Sequence, residues 1–149
     1  MKHLNLALAG LMAITITLMM MPAFCDDAKT AATDLTITIS GFENSNGVAK
    51  VAIVNSKKNY SKDTPFKGYN FKIVNHKVVE TLCLPYGEYA VKVFHDENSN
   101  GELDKRIFGI PAEAYGFSND ARGTIGPPEY EKTAFKLDSP QKEITITIK

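Results

Sequence analysis

The sequence predicts an all-β fold, an antiparallel β-sandwich of about seven strands. Apolar and polar side chains alternate over several short runs, as they do in a strand with one buried face. Turn-forming residues separate these runs, and no segment combines a helical apolar pattern with a cap and a stop signal. An open sheet would leave one face of the strands in water, so the pattern favours a sandwich.

The alternation is clearest near the two ends of the domain. Over residues 35–39 and 144–148, leucine or isoleucine alternates with threonine, and the β-branched isoleucine and threonine suit a half-buried pleated surface. Residues 48–54 are apolar on both faces apart from Lys50, which predicts a central strand. The remaining predicted strands are residues 69–74, 77–84, 88–95 and 133–137, with turns at 44–47, 85–87 and 138–140.

Residues 1–25 are predicted to be a signal peptide. A weakly basic start precedes an almost wholly apolar stretch, and the small residues Ala23 and Cys25 fit cleavage after Cys25. The alternative is a lipid anchor on Cys25, although Phe24 is larger than the residue that lipoprotein signals prefer before the cysteine. The protein is therefore predicted to be periplasmic or secreted, from a Gram-negative bacterium.

The rest of the chain is predicted to be one domain. Residues 26–33 are polar and rich in alanine and threonine, which predicts a disordered leader, and residues 34–149 form the β-sandwich. No later run reaches the roughly 20 apolar residues of a transmembrane helix, and no basic stripe suggests nucleic acid. The expected partner is an unidentified ligand or protein of the cell envelope. Without Cys25 the single remaining cysteine, Cys83, is predicted to be buried and unbonded.

A calcium-binding loop is the most specific chemical signal in the sequence. Asp96, Asn98 and Asn100 stand at alternate positions, and Gly101 and Asp104 follow at the spacing of such a loop. The carbonyl oxygen of Glu102 is expected as a further ligand, because a calcium loop uses a backbone oxygen at that position.

The loop lacks the bidentate glutamate that completes an EF-hand, because Ile107 stands at that position. Glu113 is the best candidate for the missing carboxylate, with Glu129 and Asp120 as weaker ones. Few ligands are charged, so calcium affinity is predicted to be low. The alternative is a metal-free turn, because Asp, Asn and Ser side chains readily bond their own backbone.

Residues 105–132 are predicted to be one long ordered loop. Glycine and proline exclude regular structure over most of it, yet its side chains are too apolar for a disordered linker. They are expected to fold back onto the sandwich: Ile107, Phe108, Ile110, Tyr115, Phe117 and Tyr130. The alternative is that Tyr115, Phe117 and Tyr130 are exposed together and bind a sugar or a peptide.

Residues 84–91, 94–104 and 109–119 together resemble the bacterial family named domain of unknown function 2141. The resemblance extends over residues 35–148 and includes the later Gly126-Pro127-Pro128. It implies an exported β-sandwich of the immunoglobulin-like or transthyretin-like kind. It implies no known activity, because the family is uncharacterised.

Two functions are consistent with these features. The first is a non-enzymatic structural or ligand-binding module with a calcium-stabilised loop. The second is a periplasmic hydrolase using His95, Asp96 and Glu113, since paired carboxylates can carry out acid–base chemistry. An enzyme requires these three groups to converge in an open cleft, whereas a structural site has its ligands closed around the ion.

Overall fold

The computed structural model describes residues 31–149. They form eight strands and two short helices, which confirms the predicted all-β sandwich. The predicted signal peptide lies outside these residues. The strands are β1 (Ala32–Ser40), β2 (Val48–Val54), β3 (Lys67–Lys72), β4 (Lys77–Pro85), β5 (Gly87–Asp96), β6 (Tyr115–Phe117), β7 (Phe135–Leu137) and β8 (Gln141–Thr147), and the helices are α1 (Lys57–Ser61) and α2 (Tyr130–Thr133).

The strands form two sheets. The smaller has the order β4-β1-β8, with β1 antiparallel to β4 and parallel to β8. The larger has the order β3-β2-β5, and the short strands β6 and β7 both pair with the remaining edge of β5. The parallel pairing of β1 with β8 differs from the wholly antiparallel prediction, because periodicity reports which face is buried and not the direction of a neighbour.

The core lies between the two sheets and is built from the predicted alternation. Leu35, Ile37 and Ile39 of β1 are fully buried, as are Ile53 of β2 and Val91 of β5. Each such side chain contributes about 1.5–3 kcal/mol relative to exposure. The apolar faces therefore stabilise the sandwich and leave the loops at its two ends available for function.

The structure contains short elements that were not predicted from the sequence, among them α1, α2 and β6, and it extends β1 toward the N-terminus. Helix α1 begins after Ser56, whose hydroxyl accepts a hydrogen bond from the Asn59 amide at 3.2 Å. Strand β6 lies within the segment predicted to be loop. Strand β1 begins at Ala32, so residues 32 and 33 are not part of a disordered leader; the Thr33 hydroxyl donates to the Ser139 carbonyl at 2.7 Å. Strand β6 and the start of β1 depend on contacts with distant segments, which local patterns do not report.

The prediction that the long loop packs onto the sandwich was correct for only some of its side chains. Phe117 and Tyr130 are buried, whereas Ile107, Phe108 and Ile110 are exposed. The prediction for Cys83 was wrong, because this residue lies on the exposed side of β4 and takes part in a disulfide. The other cysteine of the sequence, Cys25, lies outside the described residues. From residue 31 onward, no helix is long and apolar enough to cross a membrane.

Candidate functional site

The acidic loop (residues 96–104) follows β5 directly at one end of the sandwich. It adjoins the turn between β1 and β2, where the Asn44 side-chain amide donates to Glu97 Oε1 at 2.8 Å. Gly47 of that turn lies against the backbone of Asp96 and Glu97, and the Lys50 ammonium approaches Gly101. The acidic loop is therefore in contact with the turn between β1 and β2.

Asp96 closes the acidic loop on itself. The residue is buried, with 2% of its surface exposed. Its Oδ1 accepts a hydrogen bond from the Asn100 amide at 3.0 Å, and its Oδ2 accepts one from the Gly101 amide at 2.9 Å. Gly101 has φ +89°, a conformation that glycine adopts without strain. Gly101 thus allows the chain to turn sharply around the Asp96 carboxylate.

Asp104 is held by the two asparagine side chains of the loop. The Asn98 amide nitrogen donates to Asp104 Oδ2 at 2.7 Å, and that of Asn100 donates to Oδ1 at 3.1 Å. The amide oxygens of the same asparagines accept from the backbone of Asn100 and Glu102, at 2.9 and 2.8 Å. These are Asx turns, in which the side chain bonds the backbone two residues on.

Glu113 returns from the long loop to the acidic loop, as predicted. Its Oε1 accepts from the Glu97 amide at 3.1 Å, and its Oε2 accepts from the Asp104 amide at 3.0 Å. One carboxylate therefore bonds both ends of the acidic loop. The two weaker candidates lie elsewhere: Asp120 accepts from the Thr147 amide at 2.7 Å, and Glu129 lines a cleft beside α1.

The oxygens of this loop are turned toward N–H groups. Within residues 31–149, no three His, Cys, Asp or Glu side chains are arranged to hold a metal ion. The observed hydrogen bonds are those of the metal-free alternative. The donors nevertheless fit calcium chemically, because Asp96, Asp104 and Glu113 supply carboxylates and the asparagines and Glu102 supply neutral oxygens.

His95 does not join Asp96 and Glu113. Its side chain is buried, its Nε2 lies 2.8 Å from the Asn46 carbonyl oxygen, and its ring meets the edge of Phe42 at a centroid distance of 5.2 Å. Successive side chains of a strand point to opposite faces, which separates the His95 and Asp96 side chains at the end of β5. The three residues of the hydrolase alternative are therefore not gathered in an open cleft.

A cleft that was not predicted lies beside α1, at the opposite end of the sandwich. Its volume is about 360 Å³. Lys92 Nζ lies 2.8 Å from the Tyr60 carbonyl oxygen, 2.5 Å from Asp63 Oδ1 and 3.9 Å from the Tyr60 ring centroid. The cleft joins segments remote in sequence, so no local motif could have revealed it.

The ionisable groups of this cleft are largely engaged with one another. Lys57 and Glu131 pair at 2.6 Å, which raises the pKa of Lys57 and lowers that of Glu131. Burial, followed by the hydrogen bond with Glu88, raises the pKa of Tyr130 to about 12. Phe117 and Tyr130 are buried and Tyr115 is half-buried, so these side chains do not form the exposed aromatic patch of the alternative interpretation.

Comparison with known proteins identifies a family but no individual relative. No curated protein and no solved structure matches the chain. The model of a family described as uncharacterised protein conserved in bacteria matches residues 37–145, which include most of both sheets and the whole acidic loop. The chain therefore belongs to the bacterial DUF2141 family.

Proposed function

We propose that the protein is an exported, non-enzymatic module in which calcium stabilises the acidic loop, and that this end of the sandwich binds a component of the cell envelope. The observation that carries the proposal is the Glu113 carboxylate, bonded to the amides of both Glu97 and Asp104. It brings a third candidate carboxylate ligand to the loop, beside those of Asp96 and Asp104. The predicted signal peptide supports export to a compartment where millimolar calcium is available.

The oxygens at the loop are sufficient in number for calcium. Three carboxylates, two asparagine amides and the Glu102 carbonyl together reach the six or more oxygens that calcium requires. A carboxylate or amide oxygen that accepts one N–H retains a second lone pair for a cation. A bound ion would replace the Asn98 and Asn100 amide nitrogens as the positive partner of Asp104. The two asparagine side chains would have to reorient and would lose their hydrogen bonds to Asp104, which is consistent with low calcium affinity.

The surroundings of His95 favour a structural role over the hydrolase alternative. A general base must reach the proton that it abstracts, directly or through one water molecule. His95 is instead buried against Phe42 and bound to the Asn46 carbonyl. This arrangement supports a module whose polar end is built for rigidity.

Calcium should raise the thermal unfolding midpoint of the purified exported protein after chelator treatment. An ion that binds only the native state stabilises it by about 2.7 kcal/mol at a hundredfold excess over Kd. We expect a rise between micromolar and millimolar calcium and a smaller one with magnesium, which requires a tight octahedron. Asp96→Ala should remove the response, whereas Asp138→Ala, in an exposed turn, should retain it. A midpoint independent of calcium would contradict the proposal.

Glu113→Gln should weaken calcium binding by roughly tenfold, because it removes one of three charged ligands while retaining the shape of the side chain. Isothermal titration calorimetry measures the change, and Glu129→Gln is the matched control. A variant that binds calcium as tightly as the parent protein would exclude Glu113 from the site. Equal weakening in Glu129→Gln would contradict a specific role for Glu113, because Glu129 lines the cleft at the opposite end of the sandwich.

A further inference from the structure

An apolar hairpin, residues 105–111, projects immediately after the acidic loop. The Arg106 amide donates to the Ile110 carbonyl at 2.7 Å, and the Gly109 amide donates to the Arg106 carbonyl at 3.1 Å. Lys105 and Pro111 form an isolated β-bridge at its base. Backbone hydrogen bonds hold this shape, so the side chains at the tip are not required to maintain it.

The side chains at the tip are large, apolar and exposed. Ile107, Phe108 and Ile110 are 79%, 95% and 59% exposed, and none belongs to a core cluster of the described residues. Phe108 also has φ +69°, a backbone conformation that bulky residues rarely adopt. A group of exposed apolar side chains beside a strained backbone is typical of an interaction surface.

The shape and charge of the hairpin favour a bilayer as its partner. The hairpin is a convex projection, and the exposed basic residues Lys105 and Arg106 stand at its base. A phospholipid surface presents the matching order, with anionic phosphates outside and acyl chains immediately beneath. The apolar tip of the hairpin would meet the acyl chains while Lys105 and Arg106 meet the phosphates.

We propose that the apolar hairpin inserts into the interface of an anionic phospholipid bilayer. Insertion transfers the three apolar side chains to the acyl boundary and places Lys105 and Arg106 among lipid phosphates. The neighbouring acidic loop opposes this approach, because the exposed Glu97 and Glu102 lie within it. A calcium ion in the loop reduces that repulsion, so the calcium dependence of membrane binding, but not insertion itself, rests on the proposed function.

Co-sedimentation of the full exported protein with vesicles tests the inference. One vesicle type is pure phosphatidylcholine, and the other is an equal mixture of phosphatidylcholine and phosphatidylglycerol. We expect binding to the mixed vesicles, several-fold stronger in calcium than in chelator, and little binding to phosphatidylcholine. Absence of binding to the mixed vesicles in either condition overturns the inference. If calcium still raises the thermal midpoint in that case, the proposed function stands. Equal binding with calcium and chelator supports insertion and overturns its calcium dependence.

Phe108→Asn separates membrane binding from folding. Asparagine tolerates the left-handed conformation, so the thermal midpoint should not fall. Because the Phe108 ring would no longer enter the bilayer, vesicle binding should weaken by roughly tenfold. The matched control is Ile125→Asn, because Ile125 is 96% exposed on another loop, and this variant should bind like the parent protein.

Three results would overturn the assignment to the hairpin. The first is unchanged vesicle binding by Phe108→Asn. The second is an equal loss in Phe108→Asn and Ile125→Asn, which would indicate general surface hydrophobicity. The third is a concentration-dependent dimer that forms without vesicles and is abolished by Phe108→Asn, because the hairpin would then be a contact between two copies of the chain.

Discussion

Gly47→Ala should destabilise the fold by at least about 3 kcal/mol, the largest effect expected of any single methyl group added at this end of the sandwich. Gly47 has φ +60°, and a Cβ atom there would lie 2.0 Å from the Asp96 carbonyl oxygen and 2.6 Å from that of Glu97. Both are backbone atoms. They cannot move aside without disturbing the pairing of Val48 with Asp96 that joins β2 to β5.

Urea unfolding measures this loss, and Gly68→Ala is the matched control. Gly68 lies in β3 with an ordinary φ and open space where a Cβ would be added. Its substitution should change the free energy of unfolding by less than about 0.5 kcal/mol. A Gly47→Ala variant as stable as the parent would show that the close approach of the two loops is absent in solution. A variant that cannot be purified, beside a normal Gly68→Ala, agrees with the prediction.

Ser118→Ala should destabilise the fold by about 2–4 kcal/mol, because it removes a buried hydroxyl that makes two hydrogen bonds. The hydroxyl accepts from the Val91 amide at 2.9 Å and donates to the Thr133 carbonyl at 2.6 Å. Strand β7 covers the edge of β5 at residues 87–89, and β6 covers it at residues 92–94. Ser118 therefore satisfies the edge of β5 in the gap between two short strands.

The control for this prediction is Ser61→Ala. The Ser61 hydroxyl donates to the Lys57 carbonyl at 3.0 Å, but in an exposed position where water can replace it. Its loss should change the free energy of unfolding by less than about 0.5 kcal/mol. Equal stabilities of the two variants would mean that water or a strand shift compensates for the missing Ser118 hydroxyl.

The larger strands could be predicted because their signal is local. Alternation over residues 35–39 fixes which side chains face the core, and the apolar run 48–54 predicts a central strand; these residues lie in β1 and β2. The pairing partners of the strands, their directions and the short elements could not be predicted in the same way. Strand β6 has three residues, too few for a period to appear, and it exists because β5 offers an unpaired edge.

The acidic loop was predicted in more detail than its surroundings. Gly101 has the expected place because loop spacing constrains it, and the Glu113 carboxylate reaches the loop from the following segment. The roles of Asn44 and Gly47 were missed, since they follow from how two loops meet. Exposure of Phe108 was missed because apolar composition does not state whether a side chain meets its own core or another surface. Calcium binding itself remains a prediction.

The parallel pairing of β1 with β8 has a consequence for the order of folding. The bond from Thr33 to Ser139 joins residues 106 positions apart, and the neighbouring β-ladder spans similar separations. Contacts so distant in sequence slow folding, because a long loop must close before they form. A chain that emerges N-terminus first cannot complete the smaller sheet until β8 has arrived. During that interval one edge of β1 is available to a holding chaperone, or to the same strand of another chain.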